Sequence, residues 1–260
     1  MNILQQIVND IQKDLVLKKQ IVPIESLESS PLFERQTNSL RQRVVETEGI
    51  IAEHKRRSPS KPNINFGLRL ADVAQGYESA GVAGMSVLTN NQYFGGSIED
   101  LLLARQACEL PLLRKEFMVD EYQVLEAKAN GADAILLIAA CLERPDIQIL
   151  STLAQQLGME VLLEVHNADE LKKSIMPSID MIGVNNRDLT SFRVSLKTSK
   201  SLVDQIPTEF VKLSESGLTS AESVFELRDC GYQGFLMGEH FMKTYNPGVS
   251  AQNFIKSLSK

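Results

Sequence analysis

The feature that most constrains the fold is a regular alternation, from about residue 49 onward, of short aliphatic runs and amphipathic segments. Alternation of this kind predicts βαβ units that share a parallel sheet. Eight units at a mean spacing of about 26 residues match the size of a closed (β/α)8 TIM barrel, so the predicted fold class is α/β. The predicted strands begin near Gly49, Ala83, Pro111, Ala132, Met159, Asp180, Phe210 and Gln233.

The segments that follow the strands have helical periodicity, and several carry an independent end signal. Gly131 and Gly158 stand where helices should end, a position at which glycine tolerates a positive φ. Thr219 or Ser220 can supply an N-cap before the seventh helix. The predicted helices cover residues 68–79, 98–107, 121–130, 144–157, 168–175, 198–206, 221–230 and 251–258.

Residues 1–48 lie outside this repeat. An apolar stripe at four-residue spacing predicts an amphipathic helix near the N-terminus, and a second short helix is predicted over residues 32–40. The stripe consists of Ile3, Ile7, Ile11 and Leu15. Such a stripe usually packs on the body of a protein, and it could also cover an open end of a barrel. We therefore predict one barrel domain over residues 1–260, with residues 1–48 as a helical extension packed on it. Deletion of residues 1–40 should then lower substrate affinity or solubility.

Composition argues against several classes of function. The 27 Lys and Arg residues against 33 Asp and Glu residues give a formal net charge of −6, which argues against nucleic acid or an anionic membrane as a partner. The longest apolar run, residues 134–142, has nine residues, whereas a membrane helix needs about 20. No basic stretch leads into an apolar block at the N-terminus, so no signal peptide is expected.

Cysteine and histidine usage points to a reducing compartment and away from a bound metal. The three cysteines lie far apart with no CxxC spacing, and no pair of the three histidines has ligand spacing. We expect a cytoplasmic protein that uses no metal and no cofactor, and no obligate protein partner is evident.

The predicted strands end in charged residues, although strands buried on both faces should be almost wholly apolar. Side chains alternate along a strand, so one consistent choice turns these polar residues inward at the carboxyl ends of the strands. In barrel enzymes that end holds the active site. The six residues that this choice brings together are Glu53, Lys55, Lys115, Glu164, Asn185 and Glu215.

The alternative interpretation is a set of strand-end ion pairs or solvated caps, which are common for a single charge. Five charges of mixed sign that converge on one face instead favour acid–base chemistry. A lysine beside another lysine can have a lowered pKa, whereas a carboxylate between two lysines stays ionised. One cluster can therefore hold both an acid and a base.

Two glycine-containing turns predict an anion site. The seventh predicted strand runs into Ser216-Gly217, and the eighth runs into Gly238-Glu239. The loops after these two strands form the recurrent phosphate site of the barrel fold, through backbone N–H groups and a helix N-terminus. Ordinary turn glycines are the alternative, but two of them at these two loops favour phosphate. We expect the N–H of Glu239 to contribute and its carboxylate to point away.

Two further loops flank the same end of the predicted barrel. Residues 90–97 combine Tyr93 and Phe94 with two glycines. Together with Phe117, these aromatic side chains could line a flat apolar pocket, although plain core is the commoner role of phenylalanine. Residues 56–65 form a long basic loop that is either a mobile lid or a solvated loop, and it could attract an anionic substrate.

Eight segments of the chain resemble the indole-3-glycerol phosphate synthase family of tryptophan biosynthesis. They fall on all eight predicted strands in the family's order, and the helical extension matches too, so the resemblance covers essentially the whole chain. EHKRRSPS and LRKEF together are specific, whereas the SG and MG turns are shared with many phosphate-binding barrels. The segments are IIAEHKRRSPSK, SVLTNNQYFGGS, LRKEFMVDEYQ, GADAILLIAA, EVLLEVHN, IGVNNRDL, LSESGL and FLMGEHFM.

The resemblance implies a carbon–carbon carboxy-lyase. Members of the family decarboxylate and cyclise 1-(2-carboxyphenylamino)-1-deoxyribulose 5-phosphate to indole-3-glycerol phosphate, CO2 and water. The resemblance implies that Lys115 is the general acid at the C2 carbonyl, and that Glu164 and Lys55 are the acid and base candidates for dehydration. Glu53 would orient and ionise the lysines, and Asn185 would hold hydroxyls or developing charge. Which lysine serves which step stays open.

By the same matching, a second set of residues would contact the anthranilate and ribulose parts of the substrate, and a third would hold its phosphate. Lys55 could also reach the substrate carboxylate. The substrate-contacting set is Ser58, Phe94, Phe117, Leu136, Arg187, Glu215 and Leu236. The phosphate-binding set is Ser216, Gly217, Gly238 and Glu239.

The chain departs from the family pattern at a few positions, none of which removes a catalytic match. His54 stands at a usually apolar position and, by strand alternation, should point outward to the helices. Pro62 replaces a usual glycine and could stiffen residues 56–65. More usual residues are also replaced at Asn90, Glu116 and Glu239.

The lysines at the strand ends and the phosphate turns bear on two rival functions. A phosphosugar isomerase or a tryptophan synthase α-like lyase on the same scaffold would need an acid–base pair but not two strand-end lysines, so Lys55 and Lys115 disfavour it. A non-catalytic barrel that binds a phosphorylated ligand or a protein partner would be expected to lose the catalytic charges while it keeps the phosphate turns. This chain retains both.

Overall fold

Eight parallel strands close into a barrel in the computed structural model, which describes residues 3–189 and 191–259. Each strand pairs with its neighbours in chain order, and the first pairs with the last. The predicted (β/α)8 architecture is therefore confirmed. The strands are β1 (Ile50–His54), β2 (Gly84–Leu88), β3 (Leu112–Lys115), β4 (Ala134–Ile138), β5 (Glu160–Val165), β6 (Met181–Asn185), β7 (Val211–Glu215) and β8 (Gly234–Met237).

Helices surround the barrel and precede it. They are α1 (Ile3–Ile21), α2 (Ile24–Glu28), α3 (Leu40–Glu46), α4 (Leu70–Ala80), α5 (Asn91–Phe94), α6 (Ile98–Ala107), α7 (Glu121–Ala129), α8 (Arg144–Gln156), α9 (Ala168–Ser174), α10 (Lys197–Leu202), α11 (Ala221–Asp229), α12 (Glu239–Met242) and α13 (Pro247–Leu258). No helix within residues 3–189 and 191–259 is long and apolar enough to cross a membrane.

Most predicted helix boundaries agree with the structure to within two residues. The helix predicted over residues 198–206 is α10 followed by a 3-10 turn at Val203–Gln205. The last helix begins at Pro247 rather than at residue 251, because the Asn246 side chain accepts a hydrogen bond from the Val249 N–H at 3.1 Å and caps it there. Proline suits the first helical position because its missing N–H would have no partner in that turn.

The helix predicted over residues 32–40 was wrong. Residues 31–34 form a turn, and residues 35–39 make no helix, since most of their side-chain hydrogen bonds go to the barrel. Arg35 forms an ion pair with the buried Asp133, and the Asn38 N–H donates to the same carboxylate at 2.7 Å. The Ser39 hydroxyl then accepts from the Gln42 N–H at 3.0 Å, which starts α3 at Leu40.

The N-terminal extension covers the barrel in two places. Leu40 and Val44 of α3 are fully buried against the inward-facing apolar residues at the amino ends of the strands, so α3 closes that end of the barrel. The predicted stripe of α1 packs with Tyr122 and Ala129 of α7, and Leu27 of α2 joins the same cluster. α1 therefore lies along one side of the barrel.

The barrel interior is apolar near α3 and charged at the opposite end. Its inward-facing apolar layers contain Ile51, Leu113, Leu162 and Leu213, whereas the outward faces of the strands pack on the helices in a larger core. Glu53, Glu164 and Glu215 stand one inward position further along their strands and are 1–3% exposed. The carboxyl ends of the strands are thus the polar end of the barrel.

Candidate active site

The carboxyl ends of the strands open into a cavity of about 310 Å³. A cavity of this size is in the lower part of the range that holds small molecules. All sixteen residues assigned above to catalysis, substrate contact or phosphate binding lie in its lining. The structure therefore brings the predicted residues together, while their individual roles stay predictions.

Lys115, the last residue of β3, reaches two carboxylates on other strands. Its Nζ contacts Glu215 Oε2 of β7 and lies 3.3 Å from Glu164 Oε2 of β5. These residues come from alternate strands and occupy one layer of the barrel, which is why they can meet at its centre. The lysine side chain is 13% exposed, so the ammonium is largely withdrawn from water.

This arrangement sets the protonation of the three groups. Burial opposes the charge on Lys115, but Glu215 and Glu164 outweigh it and raise the pKa of the ammonium. Burial would also raise the pKa of Glu164, yet Lys115 and His166 lower it below its ordinary value. For Glu215, burial dominates and raises the pKa to about 7, although Lys115 favours the anion. The cavity thus holds a stable ammonium, an ionised carboxylate and a carboxyl group that titrates near neutral pH.

A second ion pair, at the end of β1, lines the same cavity. Lys55 Nζ lies 2.6 Å from Glu53 Oε1, and the Ser86 hydroxyl is 3.4 Å from Glu53 Oε2. Burial alone would raise the pKa of Glu53, but the charges of Lys55 and Lys115 lower it. Gly238 makes room for this carboxylate, because a Cβ at position 238 would stand 2.7 Å from Glu53 Oε1.

Asn185, the last residue of β6, is held by hydrogen bonds on both sides of its amide. Its Nδ2 donates to Glu164 Oε1 at 3.1 Å, and its Oδ1 accepts from the Arg187 N–H at 3.0 Å. Arg187 Nη1 reaches the carbonyl of Phe192 at 3.4 Å in the same loop. The amide therefore has a fixed orientation beside Glu164.

The turns after β7 and β8 have the geometry of an anion site. Ser216 and Gly217 have consecutive positive φ values of 65° and 80°, and α11 begins four residues later. Over the described ranges, the backbone N–H groups of Gly217 and Glu239 bond to no protein acceptor. Free N–H groups next to helix starts favour phosphate. The Glu239 carboxylate pairs with Lys61, so its charge is neutralised from the loop after β1.

Apolar side chains form the remaining wall. The rings of Phe94 and Phe117 lie with centroids 6.2 Å apart at an interplanar angle of 30°. Ile3, Leu4 and Ile7 of α1 also line the cavity. The N-terminal helix therefore contributes directly to the site and does not only pack on the barrel.

Two departures from the family pattern contact each other. Asn90 Nδ2 donates to Glu116 Oε1 at 3.3 Å, and the Thr89 hydroxyl donates to Glu116 Oε2 at 3.0 Å. A neutral amide at position 90 avoids a second negative charge beside the buried Glu116 carboxylate. His54 is buried on the outward face of β1, where burial and Arg56 lower its pKa to about 4, so it is neutral at physiological pH.

Sequence reasoning missed several polar residues at or beside the site, among them His166, Lys243 and Lys61. His166 follows Glu164 by two positions and so shares its face, a signal that strand alternation already contained. Lys243 lines the cavity four residues after Glu239, which is the spacing of neighbours on one helix face. The partner of Glu239, Lys61, had no such signal, because the loop that carries it is 178 residues away in the chain.

Comparisons with known proteins place this geometry in a family. The chain matches the family model described as indole-3-glycerol phosphate synthase over residues 4–258. An indole-3-glycerol phosphate synthase of Bacteroides thetaiotaomicron is 43% identical over 258 residues, which cover 99% of each chain. Another, of Dechloromonas aromatica, is 48% identical over 200 residues, 77% of this chain and 76% of the relative.

Two solved structures share the barrel at low sequence identity. KGPDC from Streptococcus mutans has a TM-score of 0.63 at 15% identity, over 82% of this chain and all of its own (100%). The 3-hexulose-6-phosphate synthase of Salmonella typhimurium has a TM-score of 0.65 at 12% identity, over 81% of this chain and 98% of its own. At these identities the structures show the fold alone.

Proposed function

The chain belongs to the family of indole-3-glycerol phosphate synthases, and we propose that the strand-end charges of its cavity are the acids and bases of that reaction. The reaction closes a ring on 1-(2-carboxyphenylamino)-1-deoxyribulose 5-phosphate, releases CO2 and water, and yields indole-3-glycerol phosphate. The observation that carries the proposal is the position of Lys115, a buried ammonium between two carboxylates at the centre of the cavity.

Ring closure requires that a ring carbon attack the C2 carbonyl, whose oxygen then gains negative charge. Lys115 is protonated because Glu215 and Glu164 hold its pKa high, so a proton is available at the start of the step. The ammonium gives up that proton only as the oxygen becomes basic, which concentrates the interaction in the transition state. A positioned acid of this kind contributes about 10²–10⁴-fold to the rate. Loss of CO2 then restores the aromatic ring.

Dehydration requires an acid at the departing hydroxyl and a base for the proton that leaves with it. Glu164 on β5 is ionised and suits the base, and Lys55 after β1 suits the acid. β1 and β5 are opposite strands in a closed eight-strand barrel, so the two groups approach a substrate at the centre from opposite sides. Glu53 keeps the Lys55 ammonium in place, and the Asn185 amide is positioned to hold a substrate hydroxyl.

The remaining lining residues fit the parts of this substrate that do not react. The phosphate would sit on the N–H groups of the turns at Gly217 and Gly238. The anthranilate ring would lie on the apolar wall of Phe94, Phe117 and its neighbours. We propose that the other residues that bind the substrate or its phosphate are Ser58, Leu136, Arg187, Ser216, Leu236 and Glu239.

We also propose that the protein acts on this phosphorylated small molecule without an obligate protein partner, in the cytoplasm. The three thiols of Cys108, Cys141 and Cys230 are free, which suits a reducing compartment. The net charge of −6 disfavours nucleic acid and anionic lipid.

The experiment that tests the proposal follows indole-glycerol phosphate formation by fluorescence, with Lys115→Met beside wild type. Turnover should fall by about 10²–10⁴-fold in the variant while the substrate still binds. Lys200→Met is a matched control, since Lys200 pairs with Glu226 on the exposed surface, and it should keep wild-type turnover.

Each result assigns a role. Turnover that survives Lys115→Met would move the acid of ring closure to Lys55 or Glu164. A folded wild-type protein that binds the substrate without turnover would reject the synthase and favour a ligand-binding barrel.

A further inference from the structure

A titratable group that the proposed reaction does not use stands beside Glu164. His166 follows β5, and its Nε2 lies 3.4 Å from Glu164 Oε1. Its Nδ1 lies 3.1 Å from Oε2 of Glu170 in the first turn of α9. The imidazole therefore lies between a carboxylate of the cavity and a carboxylate of a helix start, and its side chain is 11% exposed.

The Glu170 carboxylate is held in place by hydrogen bonds from other groups than the His166 ring. Glu170 Oε2 accepts from the His166 N–H at 2.8 Å, and Glu170 Oε1 accepts from Asn167 Nδ2 at 2.7 Å. Asn167 also caps α9, because its Oδ1 accepts from the Glu170 N–H at 2.9 Å. A ring whose Nδ1 donates to this acceptor has a fixed position, with Nε2 buried 3.4 Å from Glu164 Oε1 and without a hydrogen-bond partner among the described residues.

The charges around His166 are mostly negative. Glu164 on its own strand, Glu170 on α9 and Glu215 on β7 all favour the protonated ring, although burial opposes it, and together they raise the pKa of His166. Cys141, in the turn after β4, lies near the same carboxylates of Glu164 and Glu170, but burial raises its pKa to about 12 and the thiol carries no charge.

We propose that His166 is a positioning residue for Glu164, and that its protonated ring holds the Glu164 carboxylate through the charge contact between Nε2 and Oε1. The inference rests on the proposed function, in which Glu164 is the base of dehydration. Oε1 then has the hydrogen bond from Asn185 and the positive charge of His166 beside it, and Oε2 is left to face Lys115 and the substrate. Loss of the ring proton would remove one of the positive charges that keep Glu164 ionised, and dehydration would slow.

A titration of the histidine rings by NMR tests the contact without any turnover. The chain has only three histidines, and His166→Gln identifies the signal of His166 by its loss. Glu170→Gln and Glu164→Gln should each lower the pKa of His166 by at least about 0.5, since each removes a neighbouring negative charge. Asp169→Asn, which removes an exposed carboxylate from the same turn of α9, is the matched control and should leave it unchanged. If the pKa of His166 were the same in Glu164→Gln as in wild type, the proposal would be overturned.

Kinetics then test what the contact does. We expect His166→Gln, which keeps a neutral donor, to lower kcat by about tenfold, and His166→Leu to lower it further, with KM within about twofold in both. Wild-type kcat should decline as the pH rises through the pKa of His166, and this decline should be missing in His166→Gln. Thermal unfolding of each variant separates this effect from a loss of fold. Wild-type kcat and an unchanged pH profile in His166→Gln would contradict the proposal.

The two proposals fail in different ways. A wild-type protein without synthase turnover would reject the proposed function, and the NMR titration would still decide whether the charge of His166 is coupled to that of Glu164. Full synthase turnover with an uncoupled His166 would reject only the positioning role.

Discussion

Gly183 of β6 lies directly against the Glu215 carboxylate of β7. A Cβ atom at position 183 would stand 2.3 Å from Glu215 Oε1 and 3.2 Å from a methyl group of Leu162, and the first of these distances is not possible between unbonded atoms. Glycine at this position therefore leaves the space that the carboxylate occupies when it contacts Lys115. The absence of a side chain at position 183 of β6 therefore determines where the Glu215 carboxylate lies in the cavity.

Gly183→Ala should displace Glu215 from Lys115 and misplace the ammonium. We expect kcat to fall by about 10–100-fold, and the free energy of unfolding to fall by about 1–3 kcal/mol because the site is overpacked. The fluorescence assay and urea unfolding measure the two effects. Gly67→Ala is the control, since a Cβ there meets only Asn65 Oδ1 at 3.8 Å. Wild-type kcat in Gly183→Ala would show that turnover does not depend on this placement of Glu215.

Glu215 should make the stability of the protein depend on pH. Burial raises the pKa of Glu215 from an ordinary 4.5 to about 7, so the folded protein binds this proton more tightly than the unfolded chain does. The stability that this proton adds is complete below pH 4.5 and is lost as the pH rises through 7. The Gln side chain in Glu215→Gln cannot ionise. The free energy of unfolding of this variant, minus that of wild type, should therefore increase by about 2–3 kcal/mol as the pH is raised from 5 to 8. Urea unfolding at several pH values measures this difference. The exposed Glu99→Gln should show a nearly constant difference, and a constant difference for Glu215→Gln would refute the prediction.

The ion pair between Lys61 and Glu239 should matter for phosphate binding. Lys61→Met leaves the Glu239 carboxylate unneutralised beside the phosphate turns, so KM should rise by about 2–5-fold with little change in kcat, the range of a partly exposed pair. The double variant Lys61→Met with Glu239→Gln should recover most of that loss, since it removes both charges. Steady-state kinetics of the four proteins form the cycle. If KM rose equally in Lys61→Met and in the double variant, Lys61 would act independently of Glu239.

The extension should stabilise the barrel through α3. Leu40 is fully buried at the amino end of the barrel, so Leu40→Ala should lower the free energy of unfolding by about 2–5 kcal/mol while kcat stays near wild type. Val45, on the same helix, is 56% exposed, and Val45→Ala should change stability by less than about 0.5 kcal/mol. Chemical unfolding checks both. A Leu40→Ala protein of wild-type stability would show that α3 does not seal the barrel.

The part of the site that the sequence predicted depends on local rules alone. Strand alternation and chain order decide which side chains face inward, and that was enough to place Glu53, Lys115, Glu164 and Glu215 at one end of a barrel. The same rule also applies to His166, although this residue lies one position beyond the end of β5. Neither rule requires a knowledge of distances between strands.

The amino-acid sequence by itself determined the eight-unit barrel, the polar end of its strands and the turns that suit phosphate, because each of these is a periodicity or a short motif. Only the tertiary structure decided that the segment before α3 bonds to Asp133 and forms no helix of its own, and that α1 lines the cavity. It also decided that Glu164 and Glu215, the same residue type on the same lysine, shift their pKa values in opposite directions. Burial and charge contacts join groups that are far apart in the chain, such as Lys115 and Glu215 at a separation of 100 residues, so these outcomes depend on packing that no local pattern contains.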